Sequence, residues 1–195
     1  MKFISLLLII LFISSCSNLP KQDILQPLWE THRQSVDKLD TWKLNGRIFI
    51  SDVDGAWNAR VIWQQQAQDY QLVFNSPMGG AMRLTGSTQQ VMMRTADNQV
   101  FTAETPEQLV KEVLNMEIPV QQLRYWIKGI PAPTYQELHY FLNKNGQLQQ
   151  LEQSGWVIDF KRYININGLT LPEKIFLQNN DYRVKIAINR WHTVK

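Results

Sequence analysis

Cys16 is the only cysteine in 195 residues, and its setting specifies a chemistry. It follows Ile13-Ser14-Ser15, an aliphatic residue and two small ones. That is the bacterial lipobox pattern, in which the thiol receives a diacylglycerol. Upstream, Lys2 supplies a positive charge and Phe3 to Ile13 an apolar stretch, the layout of a secretory signal peptide. A membrane span needs roughly 20 apolar residues and this stretch is about half that, so cleavage before Cys16 is expected. Residues 1–15 are read as signal peptide, 16–21 as lipidated N-terminus and tether, and 22–195 as one domain. The alternatives are a plain signal peptide followed by an accidental free thiol, or an uncleaved anchor. Ser17, rather than Asp, after Cys16 points to the outer membrane, facing the periplasm.

No other constellation of reactive groups stands out. His32, His139 and His192 lie far apart with no metal-ligand spacing, so neither a metal nor another cofactor is expected. There is no G-x-S-x-G elbow and no phosphate-cradling glycine loop. Carboxylates are scattered at turns and helix starts, and the chain is read as a non-enzyme. One cysteine allows no intramolecular disulfide, so the fold must rest on its core. The formal charge of +3 falls to +2 without Lys2, too slight to imply nucleic acid, although a few basic groups favour an anionic lipid surface.

The elements that must carry any site follow from hydrophobic spacing. Leu25, Leu28, Trp29, His32, Val36 and Leu39 recur at helical intervals and predict an amphipathic helix over 24–39. The period then becomes two: Trp42, Leu44, Ile48 and Ile50, the Asp54-Gly55 turn, then Trp57, Ala59, Val61 and Trp63 read as a hairpin. Tyr70, Leu72 and Phe74 continue it, and shorter strands follow to Ala103. Thr105, Pro106 and Gln108 form a capping-box start for a second helix, and a third runs from Pro119 to Gly129. Alternation resumes after Pro133 and ends near Trp191. The predicted fold is mainly β with helices (α+β). A single curved antiparallel sheet of about eleven strands forms an unclosed barrel, covered by about three helices.

Seven tryptophans and six methionines are the unusual part of the inventory. They either fill a core or, being bulky and adaptable, leave a cavity suited to hydrocarbon chains. The segment Ser76-Pro77-Met78-Gly79-Gly80 is also out of character, because its central side chain is apolar and its neighbours are too small to cover it. Met78 either folds back onto the rim of the core or protrudes into lipid, where its burial is worth about 1.5 to 3 kcal/mol.

Order and spacing of several elements resemble the outer-membrane lipoprotein receptor family LolB. They are Trp42 with Gly46-Arg47, Trp63-Gln64, Pro77-Met78-Gly79, Ile118-Pro119, Leu123 with Trp126-Ile127-Lys128-Gly129, Gly155-Trp156, Leu171-Pro172 and Trp191. The resemblance implies an unclosed barrel that accepts lipoproteins from the periplasmic carrier LolA, holds their acyl chains in a hydrophobic cavity and inserts them into the outer membrane without ATP. It implies as partners this carrier with its cargo and outer-membrane phospholipid, with the receptor itself a monomer. It also implies that the loop Pro77, Met78, Gly79 assists insertion, with Met78 where the family carries leucine. On that reading Trp57, Val61, Trp63, Leu72, Phe74, Met82 and Leu84 from the sheet, with Leu114, Leu123, Trp126 and Ile127 from the helices, line the acyl site. The rival is a structural or assembly lipoprotein that binds another envelope protein through its sheet, with a filled core and an exposed apolar patch. An envelope hydrolase ranks last, for want of convergent polar residues.

Overall fold

The computed structural model describes residues 22–77, 80–133 and 137–193, with the side chains of 22, 23, 137 and 138 left aside. The signal and tether segments with Cys16, and Met78 and Gly79 of the loop, lie outside the described residues. Eleven antiparallel strands form one sheet. They are β1 (Thr41–Ser51), β2 (Ala56–Gln66), β3 (Asp69–Ser76), β4 (Gly80–Gly86), β5 (Val91–Arg94), β6 (Val100–Ala103), β7 (Glu137–Leu142), β8 (Leu148–Gln153), β9 (Trp156–Ile166), β10 (Leu169–Gln178) and β11 (Arg183–Thr193). Their order is β6-β5-β4-β3-β2-β1-β11-β10-β9-β8-β7, so β6 and β7 are the two edges and do not pair. The strand count, the antiparallel pairing and the open barrel agree with the sequence expectation.

Among the described residues three helices cover the inner face: α1 (Gln22–Asp37), α2 (Pro106–Leu114) and α3 (Val120–Trp126). Both α2 and α3 sit in the one segment that links edge β6 to edge β7. The capping box at α2 is present, with the Gln108 amide donating to Thr105 Oγ1 at 3.3 Å and Gln108 Oε1 accepting from the Thr105 amide at 3.1 Å. Past α3 the chain turns at Gly129 with φ of +80°, a left-handed conformation that glycine adopts without strain. Helix α1 packs toward β7 and β10. Its Trp29 and Val36 are buried, Trp29 against Tyr140, while Leu28 is half exposed and belongs to the flank of the helix rather than its packed face.

Burial alternates strictly along β1, as expected of a strand with one covered face, and along β11 except at the exposed pair Asn189 and Arg190. The inward row Leu44, Ile48, Ile50, Ile186 and Ile188 is buried, and beside it the Trp42 indole packs tilted against Trp63 and edge-on against Trp191, at centroid distances of 5.3 and 5.4 Å. Strands β1 and β11, the first and last of the sheet in sequence, are neighbours at its middle. Their register shifts between Asn45 and Gly46. A Cβ built on Gly46 would lie 2.6 Å from the Ala187 carbonyl oxygen, a backbone atom that cannot swing aside.

Gly46→Ala is therefore expected to force apart the ladder that joins the two halves, lowering stability by about 1–3 kcal/mol in urea unfolding. Gly55→Ala is the control, since its added methyl meets nothing within 4 Å. Equal midpoints for the two variants would show that the bulge has room to spare.

Candidate functional site: an apolar cavity beneath the helices

Between the inner face of β1–β4 and the underside of α2 and α3 lies a cavity of about 50 Å³. Every residue that lines it is apolar. The hairpin register explains how the sheet side is built: directly opposed residues share a face, so Leu44 with Trp63, Ile50 with Trp57, Trp63 with Leu72 and Leu72 with Leu84 all point inward. Val110 and Leu114 of α2, then Met116, Ile118, Val120, Leu123 and Ile127, close it from above.

Of the residues singled out from the sequence, Trp57, Val61, Trp63, Leu72, Phe74, Leu84, Leu114, Leu123 and Ile127 meet at this cavity. Met82 and Trp126 do not. Met82 faces Phe74 across the β3–β4 ladder, near the strand end, and is buried beyond the void. Trp126 turns its indole toward β8, donating from Nε1 to Gln153 Oε1 at 2.7 Å and packing against Trp156. Of the tryptophans and methionines, Trp57, Trp63 and Met116 line the cavity, whereas Trp29, Trp42, Trp156 and Trp191 pack elsewhere in the core. The inner row of β1 and Ile186 were absent from that selection. Pairing the strands across the Asp54-Gly55 turn places Leu44 opposite Trp63, and β11 then follows as the other neighbour of β1.

Half-buried Trp57 and Phe74 form a T-shaped pair, with centroids 5.7 Å apart, at one end of the cavity. Trp57 follows the β1–β2 turn and Phe74 precedes the turn 76–80, so this end opens toward those two turns. Pro77, the described residue of the candidate loop, is exposed there.

The two covering helices are held unequally. Around α3, Arg124 donates to the Ala67 carbonyl at 2.8 Å and to Gln68 Oε1 at 3.0 Å. Just past it, the fully buried Gln153 takes the Trp126 indole and bonds both the amide and the carbonyl of Ala132, each at 2.9 Å. Lys128, only 4 % exposed, donates to the Leu39 carbonyl at 3.1 Å and lies 5.6 Å from the Tyr125 ring centre. By contrast, the side-chain links from α2 to the remainder are exposed: Glu107 accepts from the Gln121 amide at 2.8 Å and from Gln121 Nε2 at 3.0 Å, and Lys111 pairs with Glu117.

Residues 40–191 match the family described as outer membrane lipoprotein LolB. The chain is similar to the outer-membrane lipoprotein LolB of Ectopseudomonas mendocina, at 33 % identity over 94 % of this chain and 92 % of that one. It is equally similar to that of Pseudomonas aeruginosa, at 33 % over 92 % and 90 % of the respective chains. In fold it is similar to the crystal structure of a LolA superfamily protein from Nitrosomonas europaea, with a TM-score of 0.56 at 8 % identity, covering 88 % of this chain and 94 % of that one.

The buried ammonium of Lys128 makes a measurable mark on stability. Burial, helped by the nearby Arg124 charge and opposed by Asp37 and Asp40, lowers its pKa from 10.5 to about 8. Between those values the unfolded chain holds a proton that the folded protein has released, so stability rises with pH; below about 8 both states are protonated and the full cost of the buried charge is present. Relative to Lys128→Met, the wild type is expected to gain on the order of 3 kcal/mol between pH 8 and pH 10.5, read from urea midpoints. Parallel curves for the two proteins would show that the ammonium is hydrated.

Proposed function

This chain belongs to the outer membrane lipoprotein LolB family, and from that membership we propose that it takes lipoproteins from a LolA-like periplasmic carrier, shelters their acyl chains beneath α2 and α3, and inserts them into the outer membrane. It is an outer-membrane, lipid-anchored receptor in lipoprotein sorting. Cys16 is the proposed site of the anchor and 16–21 the tether, following the signal peptide 1–15. The described residues hold no helix long and apolar enough to cross a membrane.

The observation that carries the proposal is a wholly apolar cavity between the sheet and the segment that carries α2 and α3 from one edge strand to the other. Its free space of about 50 Å³ is small beside an acyl chain of roughly 16 carbons. An acyl chain enters only by displacing something. Helix α2 and the connection 115–119 are the part to move, because α3 is fixed to the β2–β3 turn, to β8 and to the start of β1 by bonds from Arg124, Trp126 and Lys128. The Glu107 bonds to Gln121 then serve as a hinge between the two helices.

Such an exchange is close to balanced. A chain of roughly 16 carbons gains on the order of 12 kcal/mol when buried, at about 0.8 kcal/mol per methylene. The carrier already supplies most of that, and the receptor loses the contacts of α2 as it opens. A difference of about 1.4 kcal/mol still biases transfer tenfold. The bilayer, which solvates the chains fully, is the final sink, with Met78 entering lipid as the cargo leaves.

Radiolabelled lipoprotein held by the carrier, mixed with this protein and then separated from it, is expected to change hands without ATP. Cargo that stays with the carrier overturns the receptor reading. Met78→Glu is expected to leave uptake intact and lower insertion into vesicles by on the order of tenfold, the equivalent of burying one apolar side chain. Equal loss of both steps, or of neither, removes the role assigned to Met78.

A further inference from the structure

The outward face of the same central strands carries a different chemistry. Pairing aligns Arg60, Arg47, Ala187 and Lys174 in one row across β2, β1, β11 and β10. The next row toward the β1–β2 turn holds Asn58, Phe49, Lys185 and Phe176. Three ammonium groups surround the Phe176 ring, Lys174 at 5.2 Å and Lys161 and Lys185 at 5.8 Å from its centre, and Lys185 also stands 5.6 Å from the Phe49 ring. Together with Asn75, Ser76 and Pro77, the two rows wall an open groove of about 810 Å³. Ser76 and Pro77 thus stand beside this groove, just past Phe74 of the apolar cavity.

Arg47, Arg60, Lys174 and Lys185 are exposed, and among the described residues no ion pair joins any of them to a carboxylate. The neighbouring cations Lys161 and Arg162 do have partners, Asp159 at 3.3 Å and Glu173 at 2.6 Å. Asp52 and Asp54 lie in the β1–β2 turn, where Asp52 Oδ1 accepts from the amides of Asp54 and Gly55. Arg47 stands directly opposite Arg60, and like charges so placed on strands about 4.8 Å apart destabilise a sheet. Small Ala187 leaves space between Arg47 and Lys174. The result is a shallow floor of half-buried phenyl rings bordered by uncompensated cations. That is the complement of an amphiphile whose phosphate meets guanidinium and ammonium groups while its glycerol and upper chains lie on the rings.

We infer that this convex groove is a docking site for the headgroups of anionic phospholipid, through which the protein lies against the bilayer with Pro77 facing lipid. The inference rests on the membrane-insertion role proposed for the loop that contains Pro77. It adds the contact that orients that loop: a lipid anchor at the end of a tether holds the protein near the surface but leaves its rotation free, and charges spread over four strands remove that freedom.

The full lipidated chain carrying Ala81→Cys offers one free thiol beside the groove, since Cys16 is occupied by lipid. Labelled with a polarity-sensitive dye and anchored in vesicles, it is expected to report bilayer contact when phosphatidylglycerol is mixed into phosphatidylcholine, and not on phosphatidylcholine alone. Added salt should weaken the contact. Replacing Lys174→Gln and Lys185→Gln should lower the docked-to-free ratio by roughly fivefold for each charge removed, and Lys→Arg at both sites should preserve it. The same signal on both vesicles, or docking unchanged in the glutamine pair, overturns the inference. So does a glutamine pair that keeps its docking but loses uptake from the carrier, which would assign the groove to a protein partner. Carrier transfer measured alongside separates the two readings: a wild type that docks but accepts no cargo leaves this inference standing and removes the receptor function.

Discussion

An eleven-stranded sheet whose edges do not meet has more inward apolar surface than its own strands can cover, and everything else in this protein answers that constraint. A closed barrel would bury the surface against itself. Here the gap between β6 and β7 is spanned by the chain that joins them, and that chain carries α2 and α3 across the opening. Cover and hinge are consequently one piece of polypeptide, fixed at both ends to the rims it bridges.

Coverage by helices differs physically from coverage by strands. A strand is held by a ladder of backbone bonds on each side, whereas a short helix satisfies its own backbone and is held only by side chains. At α3 those side chains are long and hydrogen-bonded, with buried Gln153 and Lys128 and half-buried Arg124 each reaching a backbone carbonyl. At α2 the contacts to the sheet are apolar, and the side-chain polar links lie in water. Apolar contacts can be exchanged for other apolar contacts at little net cost, because they are not directional. Under the proposed function, a hydrocarbon guest and the underside of α2 would compete for the same wall on nearly equal terms, which suits a receptor that must also let go.

Much of this architecture was legible as periodicity. The change from helical spacing to alternation at Trp42, the capping box at Thr105 and the stop at Gly129 marked element boundaries within a few residues, because each reflects a local backbone requirement. Nine of the eleven side chains picked for the acyl site converge because strand alternation sorts residues by face. Met82 and Trp126 depart for reasons that lie in three dimensions: how far along its strand an inward residue sits relative to the helix above, and a partner, Gln153, that is 27 residues away. Cavity size was not legible either, since it depends on how closely α2 settles onto Leu84 and Phe74. The outward cations are separated in sequence by more than a hundred residues, and only the β1–β11 pairing brings Arg47 and Lys174 into one row.

That same pairing governs how the chain can be made. The strands at the middle of the sheet are the first and the last to be synthesised and exported, so the central ladder waits for the C-terminus while β1 to β6 stand with one edge unmatched. Contacts this distant in sequence form slowly, and an unpaired strand edge invites association with other chains. The protein therefore crosses its compartment boundary in a state that its own later half must rescue, and a product truncated before β11 lacks the centre of the molecule rather than its margin.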